Sequence, residues 1–232
     1  MRTLRVEVWS DIACPWCYVG KRRLEAAVAR LPASDRVEVV WRAFELDPTA
    51  PRTVPEEPYA ERLARKYGCS TAEAQAMVDR MTSVAAGDGL PFRFDLVHPG
   101  NTFDAHRLLH LALERGLQDA VKERFLRAYL TEGAAIGDPS VLAPLAVEAG
   151  LGEEEVRRVL ASDAYAGSVR GDEEEARRFG IHAVPFFVLG GRYGLSGAQP
   201  VEVLHEALAR ALAEAPEPLV AEGAVCGPDG CG

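Results

Sequence analysis

The chain has 232 residues, 48% of them hydrophobic, and a formal net charge of −9. This composition allows one large domain, or a small domain that carries a second one, and it argues against a nucleic-acid-binding protein. No apolar run is long enough to cross a bilayer, and the first residues lack the features of a signal peptide, which predicts a cytoplasmic protein.

The first elements in chain order are a strand, a helix and a second strand. Residues 4–9 are rich in strand-forming side chains. Leu24, Val28 and Leu31 then recur at helical spacing. Residues 37–44 again have strand character, and the prolines that follow end this strand. The pattern is typical of two strands joined by a helix.

The middle of the chain predicts helices almost throughout. The predicted helical segments are 59–67, from 71 toward 87–89, 105–116, 121–133, 139–149 and 153–161, followed by a charged helix that ends near residue 179. We find no internal repeat.

Strand character returns near the end. Residues 186–189 and 192–195 predict a hairpin that turns at Gly190 and Gly191, and a last helix begins at Pro200. Strands at both ends with helices between them predict one sheet interrupted by a helical insertion. The predicted domains are a sheet domain at 1–48 and 172–215, a helical domain at 49–171, and a flexible tail at 216–232.

The sequence Cys-Pro-Trp-Cys stands at residues 14–17, where the first strand gives way to the first helix. Unpaired N–H groups and the helix dipole at such a position stabilise a thiolate, the reactive form of cysteine. We expect Cys14 to be the more exposed and more acidic thiol and Cys17 to be covered. Half of a zinc site and a reduced core pair are the alternatives, but the strand-to-helix context favours redox chemistry.

The segment Gly-Ile-His-Ala-Val-Pro-Phe-Phe at residues 180–187 precedes the predicted hairpin. Together with residues 9–17, 44–46 and 101–107, this order of motifs resembles the DsbA-like branch of the thioredoxin superfamily. The chain is most similar to its FrnE-like cytoplasmic members. The resemblance implies an α/β protein, with a thioredoxin fold that carries an inserted all-helical domain.

The resemblance also implies roles for single residues. Cys14 would be the nucleophile and Cys17 the resolving thiol. Pro15 and Trp16 would contact substrate, and so would Val184 and a cis-Pro185, with the backbone at 184 pairing with an extended substrate segment. The same proline would keep a metal from bridging the thiols, so no metal is expected.

The residues between the cysteines adjust the reduction potential. DsbA-type enzymes carry Pro-His, whereas this chain has Trp16 and therefore lacks the positive charge of an imidazolium. Asp11 opposes a nearby anion unless it caps the helix. Both features predict a potential between those of DsbA and thioredoxin, which lie near roughly −120 and −270 mV.

Four further residues have two interpretations each. Glu7 resembles the buried acid of DsbA-type strands, which would relay protons to and from Cys17. The alternative is that Glu7 is a surface glutamate. Asn101 is a candidate ligand contact or, more simply, part of a helix start. His106 and His110 share one helix face at metal-ligand spacing, but a satisfied or solvated pair is the simpler interpretation.

The tail contains a second cysteine pair, Cys226 and Cys231, separated by turn-forming residues. Some FrnE-like proteins carry such a pair. We interpret it as a second redox pair that exchanges with Cys14, against the alternatives of a local disulfide, free thiols or a zinc clamp. Cys69 stands alone and is expected to be inert.

Three functions are therefore open. The first is a thiol–disulfide oxidoreductase or isomerase acting on disulfide-containing proteins, with glutathione or a thioredoxin-type protein as candidate reductant. The second is a glutathione-dependent isomerase or transferase of small molecules, but its relatives have a serine where Cys14 stands. The third is a non-enzymatic holdase. No nucleic-acid or membrane partner is expected, and the oligomeric state is not predicted.

Overall fold

A computed structural model describes residues 2–52 and 57–214, together with the backbone of two short strands near the C-terminus. The strands are β1 (Arg2–Ser10), β2 (Asp35–Ala43), β3 (Phe186–Leu189), β4 (Tyr193–Ser196), β5 (Cys226–Gly227) and β6 (Gly230–Cys231). The helices of the described ranges are α1 (Pro15–Val28), α2 (Tyr59–Tyr67), α3 (Thr71–Gly87), α4 (Phe103–Glu114), α5 (Gln118–Thr131), α6 (Pro139–Glu148), α7 (Glu153–Leu160), α8 (Ala166–Arg178) and α9 (Val201–Ala213).

Four strands form one mixed sheet in the order β2-β1-β3-β4. The first two strands are parallel, as a helical crossover between them requires, and β3 runs antiparallel to both β1 and β4. In this register Val6 lies opposite Val39 on one side and Leu189 on the other. The turn that leads to the cysteine motif follows the carboxyl end of the central strand β1.

The sheet is covered on both faces. On one face α1 and α9 pack over an apolar layer that includes Val6, Val8 and Phe187. On the other face Trp9 and Val188 pack against Ala176 of α8. Strand β1 therefore contributes residues to both layers.

The helices between β2 and β3 have a core of their own. Leu108 of α4 and Phe125 of α5 lie at its centre and are fully buried. This core also takes in Ile12 and Val19, which flank the cysteine motif. The cysteine motif therefore lies where the helical core meets the sheet.

The sequence predicted this α/β architecture, a thioredoxin fold with a helical insertion, and the prediction is confirmed. The predicted division between residues 171 and 172 falls inside the continuous helix α8, and the division into domains stays a prediction. At the hairpin, Gly190 and Gly191 have positive φ angles of 57° and 67°, as a tight turn requires, but Arg192 belongs to the loop as well.

Two further observations complete the fold. Within the described ranges, no helix is both long and apolar enough to span a membrane. In the tail, β5 and β6 pair antiparallel, and Cys226 lies opposite Cys231 in their register. The other residues of the predicted flexible tail, 216–232, lie outside the described residues.

Candidate active site

Cys14 and Cys17 lie at the N-terminus of α1. Cys14 is the capping residue in extended conformation, and Pro15 occupies the first helical position, where its missing N–H group costs nothing. The N–H group of Cys17 donates to the carbonyl oxygen of Cys14 over 3.0 Å. Cys14 is 5% exposed and Cys17 is 0% exposed. As expected, Cys14 is the outer thiol, although it too is buried.

The loop before β3 lies beside the outer thiol. The Val184–Pro185 peptide bond is cis, the geometry that the resemblance implied. The Sγ atom of Cys14 lies 3.6 Å from the carbonyl oxygen of Val184, within hydrogen-bond distance for a thiol. The carbonyl oxygen of Pro185 accepts a hydrogen bond from Gly197 over 2.8 Å, which anchors the loop to the end of β4.

Gly20 explains how α1 approaches this loop so closely. A Cβ atom at residue 20 would lie 2.9 Å from the Cγ atom of Pro185 and 3.2 Å from the ring of Phe187. These distances leave no room for a side chain. The glycine one turn after Cys17 therefore sets the separation between the cysteine motif and the proline loop.

A groove of about 740 Å³ opens in front of Cys14. Trp16, which is 43% exposed, and Val184 border it on the motif side. Helices α2 and α3 form the other wall, with apolar and basic side chains. The lining side chains of this wall include Tyr59, Leu63, Met77 and Met81, and the basic Arg62, Arg65, Lys66 and Arg80. An acidic protein thus presents a positively charged, partly apolar groove to its outer thiol.

The two thiols lie close enough for each to affect the pKa of the other. Burial raises the pKa of Cys17, but the hydrogen bond from Cys14, the positive charge of Lys122 and the Ser10 hydroxyl together lower it below the usual range. The hydrogen bond that Cys14 donates to Cys17, together with burial, raises the pKa of Cys14. Lys122 thus lies on the inner side of the pair, and the expectation that Cys14 is the more acidic thiol stays a prediction.

Lys122 of α5 is the basic group on that inner side. Its side chain is fully buried, and its Nζ atom donates to the carbonyl oxygen of Ser10 over 3.3 Å. Burial lowers the pKa of Lys122 to about 8, against the opposing effect of the negative charges of Cys17 and Asp11. An ionisable cation thus lies beneath the cysteine pair.

Asp11 is a buried carboxylate in the turn between β1 and α1. Its oxygens accept hydrogen bonds from the N–H group of Leu46 over 2.8 Å and lie 3.3 Å from Nε2 of His106. Burial raises the pKa of Asp11, but His106, Leu46 and Thr102 lower it by more. Because α1 begins only at Pro15, Asp11 does not cap the helix, and its charge raises the pKa of Cys14.

The two histidines of α4 each face a separate carboxylate. His106 pairs with Asp11, and Nε2 of His110 lies 3.0 Å from Asp172 of α8. His106 fits the interpretation as a satisfied residue, whereas Nε2 of His110 makes no hydrogen bond within the described residues, so the interpretation of the pair stays a prediction. In the part of the chain that the structure describes, no group of three or more potential metal ligands occurs.

Glu7 does not occupy the inner side of the cysteine pair. Its carboxylate accepts hydrogen bonds from Arg42, at 2.9 Å from Nε, and from Arg5. Arg42 in turn contacts Asp172. The relay predicted for Glu7 has no contact with Cys17 to support it within the described residues, and Lys122 is the ionisable group that acts on that thiol.

The remaining predicted residues divide between structural roles and the undescribed tail. Asn101 accepts a hydrogen bond from the N–H group of Phe103 over 2.9 Å and donates to Glu45 over 3.3 Å, as a helix start requires. Cys69 packs against the small apolar cluster of α2 and α3. The side chains of Cys226 and Cys231 lie outside the described residues.

A family model, described as the DSBA-like thioredoxin domain, matches residues 5–209. The chain belongs to this family. Family and fold together are those of thiol–disulfide oxidoreductases, which confirms the family predicted from the sequence.

Three relatives give the range of similarity of this DsbA-like chain. A probable DsbA oxidoreductase from Streptomyces coelicolor is 49% identical, with a TM-score of 0.86 and coverage of 99% of this chain and 98% of that one. The uncharacterized protein YwbO of Bacillus subtilis is 29% identical over 89% of this chain and 96% of its own length. The cytosolic disulfide reductase DsbM of Pseudomonas aeruginosa, 19% identical over 91% of this chain and 100% of its own, has a TM-score of 0.62 and thus shares the fold.

Sequence reasoning missed three parts of this DsbA-like site. Lys122 falls on the apolar stripe of α5, between Val121 and Phe125, and a lysine at such a position is a usable signal. Gly20 lies in a helix interior, where glycine is otherwise unfavourable. The basic groove wall had no signal in the sequence, because its residues belong to two helices whose packing could not be read from their spacing.

Proposed function

We propose that the protein is a thiol–disulfide oxidoreductase that uses Cys14 as nucleophile and Cys17 as resolving thiol. One observation carries the proposal: the Cys14 sulfur lies at the mouth of the groove, beside the carbonyl oxygen of Val184, with Cys17 directly beneath it. A substrate disulfide in the groove can reach the outer sulfur, whereas the inner sulfur is reachable only from Cys14.

The reaction then has two exchange steps. The Cys14 thiol loses its proton, and the Cys14 thiolate attacks one sulfur of the substrate disulfide. This forms a mixed disulfide and releases the first substrate thiolate. Cys17 loses its proton to solvent and attacks Cys14, which releases the second thiolate and leaves the Cys14–Cys17 disulfide. Two electrons pass to the substrate, and both thiolates take up protons from solvent.

The groove supports two kinds of substrate. Trp16 and Val184 border it at the motif, and the backbone at residue 184 suits an extended polypeptide. The basic side chains of α2 and α3 suit an anionic thiol such as glutathione, with which DsbM has also been solved. We propose protein disulfides as substrate and glutathione as the small partner, in the cytoplasm, where glutathione keeps thiols reduced.

We propose an intermediate reduction potential. Trp16 brings no positive charge to the outer side, and the charge of Asp11 raises the pKa of Cys14, both of which disfavour a strongly oxidising pair. Lys122 acts in the opposite direction on Cys17. A measured potential close to that of DsbA would contradict this part of the proposal.

We also propose that the cysteine pair of the tail acts as a second redox stage. Cys226 and Cys231 would accept electrons from, or return them to, the Cys14–Cys17 pair by thiol–disulfide exchange. Replacing both by serine should lower turnover with a protein substrate and leave the first exchange step at Cys14 unchanged. Unchanged turnover would remove the tail from the mechanism.

The test compares two variants, each with one cysteine replaced, in insulin reduction and in reactivation of scrambled ribonuclease. Cys14→Ser should lose both activities, and the matched control Cys69→Ser, which changes a cysteine packed against an alanine cluster, should keep them. Retained activity of Cys14→Ser toward a chromene substrate with glutathione would favour the small-molecule isomerase. The holdase would be favoured by a different pair of results: the wild type shows neither redox activity, and Cys14→Ser still suppresses aggregation.

A further inference from the structure

Two buried aspartates, Asp11 and Asp172, make the same kinds of contact at different places in the fold. Asp11 accepts a hydrogen bond over 2.8 Å from the N–H group of Leu46, which follows β2. Asp172 accepts one over 2.8 Å from the N–H group of Ala43, the last residue of β2. Each aspartate also faces a histidine of α4, at 3.3 Å for Asp11 and 3.0 Å for Asp172. The same arrangement thus fixes the end of β2 twice.

The two arrangements differ in what they hold in place. Asp172 belongs to α8, and its contact with Ala43 joins that helix to the sheet. Both of these residues are described by the structure, and neither lines the groove in front of Cys14. Leu46, in contrast, lines that groove and is 38% exposed. The Asp11 arrangement therefore lies at the substrate-facing side of the molecule.

Asp11 also holds the turn that carries the outer thiol. Its carbonyl oxygen accepts a hydrogen bond from the N–H group of Cys14 over 3.3 Å, and its Oδ1 atom accepts one from the N–H group of Ala13 over 3.4 Å. A buried carboxylate is costly unless donors surround it, and the backbone donors to Asp11 come from this turn and from Leu46. One residue therefore connects the nucleophile to the groove wall.

The segment that contains Leu46 is held from its other side by Glu45. The Glu45 carboxylate accepts hydrogen bonds from Asn101 over 3.3 Å and from Arg170 over 2.5 Å. Asp11 supplies the contact on the side of the cysteine motif. With its backbone held from both sides, Leu46 presents its side chain to the groove.

We propose that Asp11 is a positioning residue that fixes Leu46, as part of the groove wall, relative to the Cys14 sulfur, so that a polypeptide substrate meets both at once. The inference rests on the proposed function, because it assigns substrate contact to the groove in front of Cys14. Asp11 acts on the substrate through Leu46. Since the rate depends on how well the reacting groups are held together, loss of this contact slows substrates that reach the wall and spares those that do not.

The test compares insulin with hydroxyethyl disulfide, a small uncharged disulfide that has no side chains to contact the wall. The measured quantity is the kcat/KM for insulin divided by the kcat/KM for hydroxyethyl disulfide, with dithiothreitol as reductant. The charge of Asp11 affects the reactivity of Cys14 toward both disulfides alike, so it cancels in this ratio. The ratio therefore reports the groove wall and not the thiol.

Three variants remove the contact between Asp11 and the wall. Asp11→Ala removes the acceptor for the Leu46 N–H group and should lower the ratio by about tenfold. Leu46→Ala shortens the wall itself and should lower the ratio by a similar factor. In the double variant the two losses should not multiply, because each of them removes the same contribution to substrate binding.

Two control variants separate positioning from folding. Asp11→Asn keeps a side-chain oxygen that can accept the Leu46 hydrogen bond, so it should hold the ratio within about twofold of the wild type. Asp172→Ala removes the matched buried carboxylate together with its backbone and histidine contacts. It should lower the free energy of unfolding and leave the ratio unchanged. An Asp11 with a purely structural role would behave like Asp172.

Four results would overturn the proposal. These are equal losses with the two disulfides in Asp11→Ala, losses that multiply in the double variant, the same drop of the ratio in Asp172→Ala, or a wild-type ratio in Leu46→Ala. The last result decides even where Asp11→Ala does not fold, because Leu46 is exposed and its truncation leaves the core intact. Failure of the proposed function has a different signature, since Cys14→Ser would then reduce insulin at the wild-type rate.

Discussion

The two sides of the Cys14–Cys17 pair are built in different ways. The outer side is open and consists of Trp16, the loop at Val184 and the basic wall of α2 and α3. The inner side is closed and consists of Asp11, Lys122 and their buried neighbours. Charge on the outer side is solvated and screened by water and salt, whereas charge on the inner side is desolvated and screened much less.

This difference separates two tasks that one sulfur could not perform alone. In the proposed function, the outer side would select which disulfide approaches Cys14, and the inner side would affect how readily Cys17 attacks it. Both walls include residues of the helical insertion, since α2 and α3 supply the groove and α5 supplies Lys122. The insertion is therefore part of the site and not an addition to it.

The largest expected effect comes from removing the inner thiol while leaving the outer side intact. Cys17→Ser should still attack substrate through Cys14 but stop at the mixed disulfide, because the intramolecular attack is lost. Multiple turnover of insulin should fall on the order of 100-fold or more. Mass spectrometry of the trapped adduct on Cys14 measures the block. Turnover at the wild-type rate would show that Cys17 does not resolve the intermediate.

A smaller effect should follow from changing the distance between the two sides. Gly20→Ala places a methyl group against Pro185, so either the helix or the loop must move. We expect a loss of about 1–3 kcal/mol in the free energy of unfolding and slower insulin reduction. The matched control is Gly171→Ala in α8, where nothing lies within 4 Å of the added carbon. It should gain about 0.5–1 kcal/mol, as alanine does in a helix interior.

Equal destabilisation by both alanine variants would mean that close packing against Pro185 does not set the site geometry. Denaturant unfolding measures both stabilities, and the mixed-disulfide rate with glutathione disulfide measures the geometry at Cys14. A Gly20→Ala variant with lowered stability and an unchanged rate would assign the glycine to folding alone.

The outer side alone is addressed by reversing one groove charge. Arg80→Glu should lower kcat/KM for glutathione disulfide by about tenfold at low salt, and the difference should shrink as salt rises. Reduction of the uncharged hydroxyethyl disulfide should change little. Arg157→Glu on α7, which removes an exposed arginine outside the groove, is the matched control. Equal losses with the charged and uncharged disulfides would argue against charge selection.

The contrast between the two sides also explains what the sequence could predict. The strand-to-helix cysteine motif and the segment before the hairpin are local patterns, and both were located correctly, with Cys14 and Val184 brought together. The fold class followed from the order of strands and helices. These features are determined by interactions between residues that are close in the sequence.

The inner side required tertiary packing. Whether Glu7 or Lys122 lies near Cys17 depends on which face of β1 the insertion covers. Lys122 follows Cys17 by 105 positions in the sequence, so this packing could not be read from local patterns. The effect of Lys122 on the thiols could not be predicted for the same reason, because the helix dipole is local and the lysine comes from a distant part of the chain. A buried lysine on an apolar stripe is the signal to look for in related sequences.

The smallest expected effect concerns Glu45, which lies where the two sides meet. Its neighbour Leu46 lines the groove and is held by Asp11. The Glu45 carboxylate accepts hydrogen bonds from Arg170 over 2.5 Å and Asn101 over 3.3 Å, yet its side chain is fully buried. Burial raises the pKa of Glu45 from 4.5 to about 7, Arg170 lowers it, and the nearby Glu173 raises it again.

Because the folded pKa of Glu45 exceeds the unfolded one, the fold favours the protonated form and loses stability as pH rises from 4.5 to about 7. Glu45→Gln is neutral at every pH, so it should be more stable than the wild type near about pH 8, on the order of 1 kcal/mol, and nearly equal near about pH 5. Denaturant unfolding at the two pH values measures this, with the exposed Glu148→Gln as control. A stability difference without a change in glutathione turnover would mean that Glu45 titrates with the fold and not with the groove. A parallel change in turnover would mean that Leu46 transmits the charge state of the interior to the outer side.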